Sequence, residues 1–325
     1  GSEEIRVEAK SGTSIRLTID RDVQWVAQNA ISQAVASSKA KSGTVIVMDP
    51  KTGEILAQAS APTFDPNVPS SITVDKLNNP SVQEVYEPGS TGKVITVAAA
   101  MEEGLITPET VFSIPYSMKV SDGVFRDHEK HPTQRLTTTG LLAVSSNTGS
   151  IKIGQKLGKN NLYKYLTKFG IGQSTNSKLP GESAGILHPV KDWSGTSLPT
   201  ISFGQGYSLT AMQATSVFAT IANNGVRVKP SILAGVVNES GKYTPAAANE
   251  STRVLSEQTA INMRAMMENV VSKNGTAPSA AINGYRVAGK TGTAERYNTA
   301  CKCYSGYTAS FIGFAPADQP KYVVS

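Results

Sequence analysis

Apolar and polar positions along the first third of the chain follow two distinct periods. From Ser14 to Asp20, Ile15, Leu17 and Ile19 alternate with polar neighbours, which predicts a strand. From Arg21 to Lys39 the spacing changes. Val23, Val26, Ala27, Ala30, Ile31, Ala34 and Val35 recur three and four apart, the stripe of an amphipathic helix. Gly43 ends that segment, and Thr44-Val45-Ile46-Val47-Met48 reads as a buried strand. Asp49-Pro50-Lys51-Thr52-Gly53 is a turn, and Glu54 to Ala59 returns as the partner strand of an antiparallel hairpin. Ala61 to Pro69 is a Pro-rich loop. Pro88 and Gly89 break the chain again, and Ser90 to Met101 runs on as a long apolar helix with Gly92 as its one breaker.

The middle of the chain is helical. Asp122 to Pro132 is polar and turn-like, and Leu136 to Val144 carries a helical pattern that stops at Ser145-Ser146-Asn147. Ile151 to Phe169 reads as one or two helices with weak points at Gly154 and Gly158. Gln173 to Thr200 is rich in loop residues. Thr210 to Asn223 is an amphipathic helix closed by Asn223-Asn224-Gly225. Val226 to Val237 alternates loosely, and Ser256 caps a helix that extends to Val271. Strand patterns return at Tyr285 to Ala288, Tyr307 to Ala315 and Tyr322 to Val324. An early hairpin, a helical middle and late strands predict an α+β fold: an antiparallel sheet flanked by helices, with a helical subdomain inserted. No internal repeat or low-complexity segment is present.

Composition narrows the class. The chain has 325 residues, 39% hydrophobic and 17% charged, enough for a sizeable core and unlike a disordered sequence. The net charge of +6 is spread along the sequence without basic runs, so a nucleic-acid footprint is not expected. That mild basic balance suits work beside an anionic wall or membrane surface. No stretch of 18 apolar residues occurs. Gly1-Ser2 resembles the remnant of a protease cleavage.

The chemistry starts from Ser90-Thr91-Gly92-Lys93. A serine and a lysine three apart on a helix share a face, which suits a nucleophile whose proton passes to a neutral amine. A serine in a first helical turn also lies near free N–H groups that stabilise an oxyanion. Alone, Ser-x-x-Lys is a loose pattern. It is followed by Ser145-Ser146-Asn147 after a helix and by Lys290-Thr291-Gly292-Thr293 at a strand. The three motifs in this order are specific to acyl-serine enzymes of the penicillin-binding protein and class A β-lactamase type.

On these residues the chain resembles the penicillin-binding protein transpeptidases, and among them the class B members, over about Ile15 to Val324. Tyr86-Glu87-Pro88-Gly89-Ser90, Gly204-Gln205-Gly206-Tyr207-Ser208-Leu209-Thr210, Ala222-Asn223-Asn224-Gly225 and the hairpin Val45 to Ile55 extend the resemblance. One departure is Gly92, where relatives usually carry a bulky residue; it is expected to loosen the helix start. The resemblance implies that Ser90 attacks the carbonyl between two D-alanines of a peptidoglycan stem peptide. Lys93 would accept its proton, kept neutral by burial and by Lys290. Ser145 would relay a proton to the leaving D-alanine. Asn147 would bind the stem backbone and hold Lys93. Thr291 and Thr293, beside Gly292, would bind the terminal carboxylate, and the N–H groups of Ser90 and Thr293 would form the oxyanion hole. β-Lactams would acylate Ser90. A D,D-carboxypeptidase, a β-lactamase and a penicillin-recognising sensor share the triad and are the alternatives. Gly181-Glu182-Ser183 lacks the Glu-x-x-Leu-Asn run of a deacylating loop, so a slow-deacylating target is expected.

The resemblance also implies a single-pass membrane anchor and a pedestal domain ending within residues 1–13. Residues 14–325 would form the transpeptidase domain, breaking off within a strand. It would face outside the cytoplasm, with a lipid-linked precursor, a partner glycosyltransferase and divisome or elongasome membrane proteins as partners. Ala61-Pro62-Thr63-Phe64-Asp65-Pro66-Asn67 looks more like the division members. No cofactor is needed for this chemistry. Cys301-Lys302-Cys303 carries the only two cysteines. With His128 and His131 they supply the donor types of a structural zinc site, as in some relatives. A pair of free thiols or an oxidised pair fits the same residues.

Overall fold

The computed structural model describes residues 12–298 and 301–325, so most of the expected pedestal remnant lies outside the described residues. Its centre is a five-stranded antiparallel sheet in the order Ala288–Asn298, Cys303–Ala315, Tyr322–Val324, Gly43–Met48, Ile55–Ala61. The early hairpin and the late strands therefore close into one sheet, with the helical middle inserted between them.

Alternation along the strands sends side chains to two different cores. Val47, Ala57 and Ala59 pack against Ala27 of helix Arg21–Ser38, whose start is capped by the Asp20 carboxylate. Ile46, Met48, Ile312, Phe314 and Val323 join the main core on the other face. That core contains helix Ala211–Ala222, capped by a reciprocal Thr210–Gln213 pair and buried from Met212 onwards. It also contains helix Lys93–Glu102, buried from Lys93 to Met101. An amphipathic stripe was not expected there, and none is needed: the helix runs through the interior.

The two edges of the sheet are treated differently. Along Ile55–Ala61, helix Arg21–Ser38 supplies side chains that imitate a sixth strand. Gln24 donates to Gln58 O at 3.1 Å and accepts from Gln58 N–H at 2.7 Å, and Gln28 donates to Ser60 O at 2.8 Å. Such capping blocks edge-to-edge pairing. The opposite edge, Ala288–Asn298, has no further strand beside it among the described residues and faces the turn Gly89–Gly92.

Three elements differ from expectation. The polar stretch 122–132 sits in two nested ribbons, Val111–Ile114 with Gln134–Thr137 and Ser117–Val120 with Gly123–Arg126. Four-residue strands give too few alternations to read. Val226 to Val237 divides into Val226–Val228 and Leu233–Val237, which join separate small sheets. The strand expected from Tyr285 begins at Ala288 and runs through the Lys-Thr-Gly motif to Asn298. Pairing with Cys303–Ala315 overrides the poor strand preference of Gly and Lys.

Candidate active site

Ser90 is half-buried in the 3₁₀ turn Gly89–Gly92, directly before helix Lys93–Glu102. Glycines let three segments meet there. Gly89 adopts φ +54° and donates its N–H to Gly204 O at 2.8 Å. A Cβ on Gly204, which has φ +93°, would lie 1.8 Å from Gly89 O. On the opposite side, Gly292 brings the edge strand against the turn: a Cβ there would lie 2.8 Å from Pro88 O. Tyr86 and Leu209 exchange backbone hydrogen bonds at 3.0 Å, and the Glu87 carboxylate accepts Gly206 N–H at 2.9 Å. Burial pushes the Glu87 carboxyl up, against the pull of that N–H. The segment Gly204–Thr210 thus serves as the floor of the turn that carries Ser90.

Behind Ser90 lie two amines with no solvent exposure, Lys93 and Lys290. Both converge on Ser145, which takes a left-handed backbone with φ +61°. Lys93 Nζ donates to Ser145 O at 2.5 Å and to Oγ at 3.2 Å. Lys290 Nζ lies 2.8 Å from the same Oγ, 3.2 Å from Thr291 O and 3.4 Å from Thr291 Oγ1. Burial holds Lys93 well below the usual lysine range; the Lys290 charge adds to this and the Asp127 charge opposes it. Burial brings Lys290 down to about 7. The Ser90 hydroxyl makes no hydrogen bond among the described residues, and such contacts commonly tighten only with substrate bound.

Burying Lys290 withdraws stability. Its proton is held less tightly in the folded chain, near pH 7, than at the ordinary lysine value of 10.5. The loss is complete below pH 7 and fades as pH rises towards 10.5, where both states are neutral. Lys290→Met is therefore expected to melt higher than the parent at pH 6, by on the order of 2 °C for each kcal/mol relieved. Melting curves of the two proteins should converge between pH 7 and 10. A gap independent of pH would exclude the buried amine as its cause.

The second motif is anchored by a residue that sequence reading passed over as loop. Asp127 accepts from Ser146 Oγ at 2.8 Å and from Thr148 N–H at 2.9 Å, and pairs with His131 Nε2 at 3.0 Å. Ser146 in turn caps helix Asn147–Leu157 by accepting Gly149 N–H at 2.9 Å. A single aspartate in a polar run carries no sequence signal of this role; only its burial reveals it. Asn147, expected to hold Lys93, instead donates to Arg126 O at 2.9 Å and is half-buried. Lys93 is held by Ser145. Thr291 and Thr293 lie on the more open face of the edge strand, and Lys290, Gly292 and Ala294 face inward.

The zinc reading of Cys301, Cys303, His128 and His131 is corrected by these contacts. Cys301 and Cys303 are joined as a disulfide, so neither offers a thiolate. His131 is engaged by Asp127 and by Pro132 O at 2.7 Å, and this pair of acceptors raises its pKa. His128 is exposed. Among the described residues no three His, Cys, Asp or Glu side chains form a metal-binding group.

Gly92 has a packing reason. A Cβ there would sit 2.4 Å from Tyr207 Oη and 2.9 Å from Gly204 Cα. Tyr207 is almost wholly buried, and its hydroxyl is the one buried side-chain polar atom without a partner among the described residues. The tyrosine thus fills the volume that a bulky side chain would take, and the helix start is packed, not loosened. Gly92→Val is expected to destabilise the chain by about 2 kcal/mol through overpacking. Tyr207→Ala in the same chain should recover part of that loss in a urea melt. Additive losses would show that the two residues do not share the space.

Comparison with known proteins gives the family. The model of the penicillin binding protein transpeptidase domain matches residues 43–325, which include all three motifs. The chain belongs to the penicillin-binding protein transpeptidase family. It is similar to the penicillin-binding protein PbpB of Mycolicibacterium smegmatis, 42% identical over 100% of this chain and 51% of that protein. It is also similar to the peptidoglycan D,D-transpeptidase FtsI of Escherichia coli, 33% identical over 98% of this chain and 52% of that one. Among solved structures, penicillin binding protein 3 of Mycobacterium tuberculosis, complexed with aztreonam, superposes with a TM-score of 0.94 at 40% identity. That match covers 99% of this chain and 74% of the other. This transpeptidase domain spans about half the length of the curated relatives it matches. The expected α+β transpeptidase fold is the one observed.

Proposed function

We propose that this domain is a serine D,D-transpeptidase that cross-links peptidoglycan stem peptides and is acylated by β-lactams. The observation that carries the reading is the convergence of two fully buried amines on Ser145 behind the Ser90 turn. Ordinary structural lysines keep their charge in water; burying two side by side makes sense where one must be neutral.

In the proposed reaction Ser90 Oγ attacks the carbonyl between the two D-alanines and its proton passes to neutral Lys93 Nζ. The N–H groups of Ser90 and Thr293 take the oxyanion charge. The C–N bond breaks, and Ser145, bridging Lys93 and Lys290, delivers a proton to the leaving D-alanine amine. Thr291 and Thr293 bind the terminal carboxylate beside Lys290. The open edge of Ala288–Asn298 lets the peptide lie alongside as an added strand. An amine on a neighbouring stem then takes the acyl group. Asn147 lies at the mouth of the second motif, placed to meet the stem backbone.

A hydrolase is the weaker reading. The Glu182 carboxylate, the acid of the Gly181-Glu182-Ser183 run, accepts hydrogen bonds from Ser174, Thr175 and Ser177 and is not free to act as a deacylating base. The acyl-enzyme should therefore persist, and rapid steady turnover of a chromogenic cephalosporin would count against this. The division names of the relatives and the Ala61–Asn67 segment favour septal work. The family resemblance implies a membrane-anchored protein acting outside the cytoplasm with a glycosyltransferase and other division proteins as partners, and this is part of the proposal. Residues 14–325 serve as the catalytic unit in this scheme, and no cofactor enters the reaction. Intact mass of the chain after treatment with a labelled penicillin tests the centre of the proposal. A single adduct is expected on the parent and none on Ser90→Ala; no adduct on the parent would defeat the reading.

A further inference from the structure

The loop after helix Glu257–Val271 belongs to none of the three motifs, yet it places a hydroxyl on the site. Thr276 Oγ1 lies 2.7 Å from Thr291 Oγ1. The loop is held on both sides of it. Gly275 N–H donates to Ser272 O at 2.9 Å, and Ala277, buried, donates to Val270 O at 2.8 Å. At Gly275 a Cβ would lie 2.1 Å from Val270 O and 2.3 Å from Asn269 O, so the turn admits only glycine. Thr276 itself remains exposed. A surface threonine fixed this firmly against a site residue is preorganised for binding.

The hydroxyl protons have a direction. Lys290 Nζ, 3.4 Å from Thr291 Oγ1, has N–H to give. Either hydroxyl of the Thr276–Thr291 pair can donate; with Thr291 receiving from the lysine, its own proton is turned to Thr276 Oγ1 and the Thr276 proton outward. The row Lys290, Thr291, Thr276 thus ends on a free donor at the open face that also carries Thr293. A donor at the end of such a row is polarised by those behind it.

We propose that Thr276 is a substrate-binding residue whose hydroxyl donates to the C-terminal carboxylate of the acyl donor, at the outer end of the Lys290–Thr291 row. The inference rests on the acyl-serine reading above. It is tested with two D-alanyl ester donors, one ending in a carboxylate and one in the matching carboxamide, turned over by parent, Thr276→Val and Thr276→Ser. For the carboxylate donor, Thr276→Val should lose about 10-fold in kcat/KM, mainly through KM, the size of one hydrogen bond to a charged group. Thr276→Ser should recover most of it, and the carboxamide donor should be indifferent to both changes. Equal losses on the two donors would make Thr276 merely structural and overturn the proposal, as would no loss on either. A parent that neither ester acylates at Ser90 would instead defeat the acyl-serine reading, and this inference with it.

Discussion

Lys93→Met is expected to slow acylation of Ser90 by about 10³-fold or more, the scale of removing a general base from a nucleophile. The substitution is chosen to leave the fold in place. Lys93 is fully buried at the start of a helix buried to Met101, and methionine has nearly its length without a charge. What is lost is a lone pair beside the serine. In the proposed reaction that lone pair is available because burial, reinforced by the Lys290 charge, holds the Lys93 pKa well below the usual lysine range. The sign follows: acylation rises with pH as Lys93 loses its proton, and the rise is complete well below the ordinary lysine value of 10.5. Lys93→Arg should be as inactive as Lys93→Met, since a guanidinium does not deprotonate in this range. Stopped-flow acylation by a penicillin between pH 5 and 10 measures all three proteins. A Lys93→Met rate within a few-fold of the parent would remove Lys93 from the role of base.

The second large effect is expected at a residue with no reactive group. Gly204→Ala should destabilise the domain by about 3 kcal/mol or more and abolish acylation of Ser90. Two terms add. The backbone at Gly204 is left-handed with φ +93°, a region that side chains disfavour. The new methyl would also stand 1.8 Å from Gly89 O, a backbone atom that cannot turn aside. Relief requires breaking the Gly89 N–H to Gly204 O hydrogen bond and moving the turn that carries Ser90. Thermal melting with penicillin labelling on the folded fraction checks the result. An alanine variant that melts normally and labels at the parent rate would show that the floor of the site is not rigid.

The relation between these two glycines and Ser90 shows where sequence reading stops. The three motifs, Ser90 to Lys93, Ser145 to Asn147 and Lys290 to Thr293, were legible as motifs because each is a short local pattern and their order is specific; the roles read from them belong to the proposal. The sheet was legible too, since Thr44–Met48 and Tyr307–Ala315 carry strong strand signals at the two ends of the chain. The short ribbons around Asp127 were not, because four residues do not establish a period. Asp127 and Thr276 were missed for a related reason. Their contacts with Ser146, Thr148 and Thr291 span 15 to 21 positions of sequence, and nothing in their own neighbourhood records them. The cysteines failed in the other direction. Cys301-Lys302-Cys303 fits a metal, free thiols or a disulfide by composition, and the bond between the two sulfurs decides it.

By itself the sequence determined the family, its three short motifs, and an antiparallel sheet assembled from both ends of the chain. Periodicity and motif order are local properties that a linear chain displays. Only the tertiary structure decided the electrostatics of the site. A lysine is neutral or charged according to what surrounds it, and the walls around Lys93 and Lys290 come from segments more than fifty residues apart. It also decided that Gly92 makes room for Tyr207, that one sheet edge is sealed by glutamines, and that the other is left beside Ser90. Each of these is a matter of which surfaces meet, and packing settles that only when the chain has closed.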